Sequence, residues 1–279
     1  MSGFTLAAFA DEAGAALSEQ IDAMRENRIP LLEIRGVDGK NVTALTESEA
    51  REVARRLRDA GLGVWSVGSP IGKIGIRDPF APHLDLFRHT LELGRILGAK
   101  AFRLFSFYIP EGEDPEIFRD EVLMRMERFA EAGKESGILL CHENEKGIYG
   151  DVADRVKVIH ESLPEIGAVY DPANYIQTGE DTLAAWDKVE KYVRYMHIKD
   201  ALPSGNVVPA GKGAGNLPAL LGRYRELGGK VLTLEPHLTV FKGLSALERE
   251  GERSGVGSYA YPDARTAFRA ATEALRELI

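Results

Sequence analysis

Four residues carry the clearest chemistry in this chain. Glu143, Asp171, His197 and Glu235 fall in the segments CHENE, YDPAN, MHIKD and LEPHL, each a polar residue closing a short apolar run. The gaps between them are 28, 26 and 38 residues, each near the length of one strand-plus-helix unit. Three carboxylates and one imidazole make a hard, oxygen-rich ligand set. It suits one divalent cation, manganese first, with magnesium, cobalt, iron(II) or zinc as alternatives; it is poor for copper and wrong for a thiolate zinc site. A cation that binds a substrate carbonyl and a neighbouring hydroxyl acidifies the adjacent C–H and stabilises the enediolate formed on its loss. Glu143 and Glu235, separated by two further strands, then form an acid/base pair with one carboxylate on each face of the substrate. Inversion at carbon, carbonyl migration and loss of a β-hydroxyl are all outcomes of that intermediate.

Residues so far apart in sequence need a scaffold that returns to one rim. Short apolar runs alternate with segments of helical period throughout the chain, the pattern of parallel α/β architecture. The runs are Thr5–Phe9, Leu31–Arg35, Val64–Val67, Lys100–Leu104, Ile138–Glu143, Ile166–Asp171, Val193–Lys199 and Lys230–Leu234. Helical segments near 18–27, 46–58, 84–97, 114–137, 151–162, 181–191, 217–227 and 262–277 fill the gaps. Thr46 and Glu49 have the capping-box spacing, and Pro115 suits a first helical turn. Eight of each predict an α/β fold of the (β/α)8 TIM barrel type, one domain over residues 1–279. A doubly wound open sheet would advertise a glycine-rich turn after an early strand, and none is present. In a barrel, chemistry gathers where strands end. Alternation along each strand places Leu139, Cys141 and Glu143 on one face, Val169 with Asp171, and Val231 and Thr233 with Glu235.

The bulk properties agree. A length of 279 residues matches a barrel of about 250 residues with insertions. With 44% apolar and 28% charged residues the composition is globular rather than disordered. The net charge of −8 argues against a nucleic-acid surface and says nothing against a neutral sugar. The single cysteine, Cys141, and an N-terminus without a basic region and long apolar stretch point to a reducing cytoplasm. No apolar run reaches the roughly 18 residues needed to cross a bilayer, so no membrane partner is expected.

At these residues the chain resembles the sugar phosphate isomerase/epimerase family, the xylose-isomerase-like TIM barrels that include ketose 3-epimerases and inosose dehydratases. The resemblance runs nearly end to end, through LLEIRGVDGKNV, GSPIGKI, FRLFSFY, CHENEKGIYGD, DPAN, HIKDA, PAGKGAGN and LEPHL. It implies one metal held by Glu143, Asp171, His197 and Glu235, with the two glutamates also acting as acid and base. HENE offers Glu145 on the same strand face as Glu143, so the fifth strand has two possible ligands. The resemblance does not extend to the substrate-gripping residues of the ketose epimerases, and the particular reaction stays open.

Further candidates would bind substrate. Lys199 shares a face with His197, with Asp200 placed to orient it. His237 shares one with Glu235. Glu33 and Arg35 end the second strand with one parity, as an ion pair at the mouth or as contacts to substrate hydroxyls. Lys73 sits in a glycine-rich loop that lacks P-loop spacing, and Arg103 ends the fourth strand. Asn174 would grip the loop after the sixth strand or reach the metal's surroundings. His142 has the opposite parity to Glu143 and reads as structural; His83, His89 and His160 read as surface groups. The glycines around Lys212 suggest a loop that closes over substrate.

The expected activity is thus a metal-dependent isomerase or epimerase of a ketose or keto-sugar, free or phosphorylated. A lyase or dehydratase using the same intermediate is the alternative, and a non-catalytic sugar-binding barrel the outside option. A repair endonuclease would need more than six histidines and a basic face. The oligomeric state stays open, with a homo-oligomer paired through helices or rim as one expectation.

Overall fold

The computed structural model describes residues 3–239 and 261–279. Eight parallel strands close into a barrel: β1 (Thr5–Ala8), β2 (Leu31–Ile34), β3 (Gly63–Val67), β4 (Ala101–Leu104), β5 (Leu139–Glu143), β6 (Gly167–Tyr170), β7 (Val193–Ile198) and β8 (Val231–Leu234). They pair in sequence order around the ring, and β8 returns to β1 with Thr5 opposite Val231. Every expected strand is present, with ends shifted by a residue or two. Two short antiparallel ribbons, at residues 36–41 and 200–208, decorate the rim.

The helices among the described residues are α1 (Leu17–Glu26), α2 (Glu47–Asp59), α3 (Phe80–Leu97), α4 (Arg119–Gly133), α5 (Ala153–Ser162), α6 (Pro172–Gln177), α7 (Thr182–Val189), α8 (Leu217–Glu226) and α9 (Ala264–Arg276). None of them is long and apolar enough to cross a membrane. The capping box at α2 forms as its sequence requires: Glu49 N–H donates to Thr46 Oγ1 at 3.2 Å, and Thr46 N–H to Glu49 Oε2 at 2.8 Å. The short α6 is an addition to the expected eight. It starts immediately after β6 because Asp171 caps it, accepting the Asn174 N–H at 3.0 Å.

Two apolar layers hold the barrel. A large one lies between strands and helices, where Phe87 of α3, Phe102 of β4 and Phe129 of α4 meet. A small one fills the interior with Ala7, Ala101, Cys141, Val169, Tyr195 and Val231. The small side chains there leave volume for the Tyr195 ring, so the barrel is a packed core below its mouth.

His89 is exposed as expected, but His83 and His160 are buried. On α5, His160 lies on the same apolar stripe as Val156 and Ile159, facing the strands. Its Nδ1 lies 2.9 Å from Ile166 O, whereas its Nε2 is buried without a hydrogen-bond partner. Burial therefore pushes the ring down to about 4 from 6.5. As pH falls, the unfolded chain takes up this proton first. The stability is complete above about 6.5 and is lost towards 4, amounting to roughly 2 kcal/mol by pH 5. Urea unfolding of wild type and His160→Gln at pH 7 and pH 5 checks this: the wild type should lose about 2 kcal/mol more than the variant.

Candidate active site

The last four strands bring their terminal polar groups together at the mouth. Glu143 ends β5, Asp171 follows β6, His197 is the second-to-last residue of β7, and Glu235 follows β8. All four are buried, and one ligand atom from each lies within 4.8 Å of the others. His197 Nδ1 stands between the glutamates, 2.9 Å from Glu143 Oε1 and 3.3 Å from Glu235 Oε2. Lys199 Nζ lies 2.8 Å from Asp171 Oδ2 and 3.2 Å from Glu235 Oε2. Of the two candidates on the fifth strand, Glu143 joins this cluster, whereas Glu145 pairs with Lys73 at 2.7 Å on the pocket wall.

Each glutamate turns its second oxygen towards a buried arginine. Arg103 Nη1 donates to Glu143 Oε2 at 3.0 Å, and its Nη2 donates to Gly68 O at 3.1 Å. Arg35 Nη1 lies 3.5 Å from Glu235 Oε1, while its Nε and Nη2 hold Asp11 at 2.9 and 3.0 Å. Phe9 packs between the two guanidiniums, at 4.4 Å from Arg35 and 5.1 Å from Arg103, and meets the His197 ring edge-on.

The electrostatics follow from this crowding. Burial alone would raise the Glu143 carboxyl, but His197 and Arg103 outweigh it and hold it down at about 2. Burial likewise opposes ionisation of Glu235, and the Lys199 ammonium draws it well below the ordinary range. Asp171 goes the other way, up to about 7: burial dominates, Lys199 resists, and Glu235 and Glu143 add repulsion. Burial drives His197 down, yet the adjoining Glu143 and Glu33 carboxylates lift it well above 6.5. The rises at Asp171 and His197 reflect in part the carboxylates crowded around them, whose mutual repulsion a cation would relieve. Three carboxylates and an imidazole fit a hard or borderline divalent ion. Cys141 lies two residues deeper on β5, buried, with its thiol pushed up by that burial, and offers no thiolate.

The pocket above the cluster is small, about 70 Å³, and its wall includes Arg35, Lys73, Arg103, Lys199 and His237. Five of the six expected substrate contacts therefore line it. Glu33 does not: it lies one layer deeper, beneath His197, and it makes no ion pair with Arg35. The shared parity was correct, but two residues of strand rise separate the pair in depth, and Arg35 turns instead to Asp11, Glu12 and Glu235. A larger groove of about 510 Å³ lies beside α4 and the entry of β5, where Glu127, Glu131 and Lys134 are exposed and no ligand set converges.

Lys73 is held in place by backbone. Gly72 has φ +94°, and a Cβ there would fall 2.0 Å from Phe105 O, so only glycine fits. Its N–H donates to His83 Nε2 at 2.8 Å, and burial, with Arg125 nearby, lowers that ring to about 4 and keeps it an acceptor. His142 is structural as its parity implied, with Nε2 2.9 Å from Ser106 Oγ. Asn174 reaches the surroundings of the cluster, donating to Glu143 Oε1 at 3.4 Å, but its other bond, to Asn144 O at 2.8 Å, grips the turn after β5 rather than the loop after β6.

The loop around Lys212 departs from its expected role. Asp200 accepts backbone N–H groups from Ala201, Gly211, Gly213 and Gly215 at 2.9–3.0 Å, which fastens the loop to the end of β7. It is a nest closed on a carboxylate, not a loose cover.

Sequence reading missed Asp11 and Glu12 after β1, and Asn144 between the two β5 carboxylates. Asn144 exchanges two 3.0 Å hydrogen bonds with the Asp171 backbone, locking β5 to β6. Glu12 accepts the His237 N–H at 2.6 Å and carries a carboxyl raised to about 8 by burial, against Arg35. The strand-end rule applied to the segment FADE would have found the acidic pair.

The comparisons bear on the same architecture. The family model described as xylose isomerase-like TIM barrel matches residues 20–253. An L-ribulose 3-epimerase superposes with a TM-score of 0.75 at 18% identity, over 99% of this chain and 94% of that one. The IolI protein with a binding zinc atom gives 0.75 at 13% identity, over 98% and 97%. A xylose isomerase-like TIM barrel protein from Mycobacterium smegmatis, in complex with magnesium, gives 0.70 at 16% identity, over 100% and 98%. The comparison with curated proteins gives no match. With the family model spanning all but the first strand and the last helix, the chain belongs to the xylose isomerase-like TIM barrel family.

Proposed function

We propose that the chain is a divalent-metal-dependent isomerase or epimerase of a small ketose or keto-sugar. One observation carries the reading: Glu143 and Glu235 each set one oxygen beside His197 Nδ1 and turn the other towards an arginine, in a cluster whose ligand atoms lie close enough to share one cation. Glu143, Asp171, His197 and Glu235 would hold the metal, which would polarise a carbonyl and the neighbouring hydroxyl and so acidify the C–H of the hydroxyl-bearing carbon. Manganese or magnesium suits the oxygen-rich set best, and relatives described with zinc and magnesium support a divalent site.

The protein's own groups then divide the work. One glutamate removes the carbon-bound proton, and the other returns a proton to the opposite face. Arg103 and Arg35 hold the far oxygens, so each carboxylate keeps its angle through the cycle. Lys199, Lys73 and His237 stand on the wall to bind substrate oxygens. Burial lowers His237 to about 3, so at neutral pH it meets substrate as an uncharged ring. The small pocket favours a small sugar.

A dehydratase is the second reading, and the Lys199 ammonium favours it. Asp171 and Glu235 outweigh its burial and keep it protonated, and it faces the site where a departing β-hydroxyl would need a proton donor.

Elemental analysis of wild type and an Asp171→Ala/His197→Ala variant, both grown with added manganese, tests the common basis. About one ion per wild-type chain and none in the variant is the expected result. An empty wild type would overturn the reading. Solvent-deuterium exchange into a panel of ketoses, followed beside water release, then separates epimerase from dehydratase.

A further inference from the structure

Glu33 is a buried carboxylate that the mechanism above does not use. Pairing of β2 with β3 skips Trp65, and this bulge sets Glu33 opposite Ser66 and aims it into the interior. There it meets two successive inward residues of β7, a strand that is not its neighbour in the ring. Tyr195 Oη donates to Glu33 Oε1 at 2.9 Å, and His197 Nε2 lies 3.2 Å from Glu33 Oε2. Ser66 Oγ lies 3.2 Å behind the same phenol.

The carboxylate sets the direction of this chain. Tyr195 Oη donates to one carboxylate oxygen of Glu33, so Ser66 Oγ donates to Tyr195, and the other oxygen is set to accept N–H from His197 Nε2. With Nε2–H held by Glu33, Nδ1 is the nitrogen left to offer a lone pair to a cation, in place of its 2.9 Å contact with Glu143. That is the nitrogen facing Glu143 and Glu235. Outer carboxylates that fix a ligand histidine in this way act on metal affinity without touching metal or substrate.

We propose that Glu33, itself set by Tyr195, is the positioning residue that fixes the tautomer and angle of His197 towards the cation site. This rests on the metal-dependent reading given above. It reassigns Glu33 from substrate contact to a support below the site, reached from the barrel interior rather than from the pocket.

The test is Mn²⁺ titration by calorimetry of the full chain: wild type, Glu33→Ala, Glu33→Gln and Tyr195→Phe. Glu33→Ala should weaken Mn²⁺ binding about 10–100-fold, and Glu33→Gln should recover part of it through its amide oxygen. Tyr195→Phe removes one oxygen from the packed interior and should weaken binding severalfold; it also stands in if Glu33→Ala does not fold. Nitrogen-15 spectra of the histidines in Zn²⁺-loaded wild type should show His197 protonated at Nε2, a signature that a merely structural role would not require. Variants that bind Mn²⁺ within twofold of a metal-binding wild type, or a ring protonated at Nδ1, overturn this inference alone. A wild type that binds no Mn²⁺ overturns the metal reading, and the inference falls with it.

Discussion

Glu143→Gln and Glu235→Gln, assayed at saturating metal, should each lower epimerisation about 10²–10⁴-fold, and each should leave a different half of the reaction running. The middle of that range, about 10³-fold, corresponds to roughly 4 kcal/mol of barrier. For a substrate of one configuration, one carboxylate faces the carbon-bound hydrogen and the other faces the opposite side. Removing the second leaves abstraction intact, so the substrate exchanges its hydrogen with solvent deuterium without inverting. Removing the first stops both exchange and inversion. Starting from the epimeric product should exchange the roles of the two variants.

The site explains why the glutamates suit this work and why glutamine is a severe replacement. Both are held ionised, Glu143 by His197 and Arg103 against burial, and Glu235 by the Lys199 ammonium against burial. At neutral pH each is thus ionised, so one accepts the carbon-bound proton and the other must first take up a proton from solvent before returning it to the opposite face. A glutamine at 143 can offer its oxygen to the cation site or to Arg103 Nη1, but its amide must then oppose a donor on the other side. Metal content should therefore be measured in every sample, and the deuterium pattern read only where metal is bound. If both variants epimerise within tenfold of wild type with metal bound, these carboxylates are ligands and nothing more. If both behave alike from either epimer, the two-faced assignment is wrong.

The barrel and the four clustered residues were legible in the sequence for a physical reason. Strand alternation and unit length are local, and together they determine which residues end on one rim. Depth and partnership are not local. Glu33 and Arg35 share a parity, yet one supports His197 from beneath while the other holds Glu235 from the wall. His160 reads as a helix surface group until its place in the Val156–Ile159 stripe is weighed. Glu145 and Glu143 are equivalent by parity, and the difference between them is Lys73, which reaches across from a distant loop to take Glu145. Nothing in the sequence singles out Tyr195, and only its hydrogen bond to the Glu33 carboxylate makes it part of the site.

The Lys212 loop shows the same limit most directly, and it yields the second large effect: Asp200→Ala should destabilise the protein by about 3–5 kcal/mol. Four backbone N–H groups converge on that carboxylate, from Ala201, Gly211, Gly213 and Gly215. A Cβ at Gly213 would lie 2.3 Å from Asp200 Oδ1, and one at Gly215 would lie 2.6 Å away, so the glycines permit approach rather than motion. Without the carboxylate, partly buried N–H groups lose their partner, at about 1–3 kcal/mol apiece before water compensates some of them. Asp200→Asn keeps one acceptor oxygen but turns an amide donor towards the remaining N–H groups, and should cost nearly as much. Because Asp200 follows Lys199, release of the loop should also loosen the ammonium from Asp171 and Glu235. Urea midpoints give the stability, and hydrogen exchange over residues 209–216 gives the loop itself. A freely opening cover would show fast exchange in the wild type and a change of less than 0.5 kcal/mol in Asp200→Ala. A fastened nest requires slow exchange that the substitution abolishes, and with it a fall in substrate affinity, since the lysine on the pocket wall is anchored through the same turn.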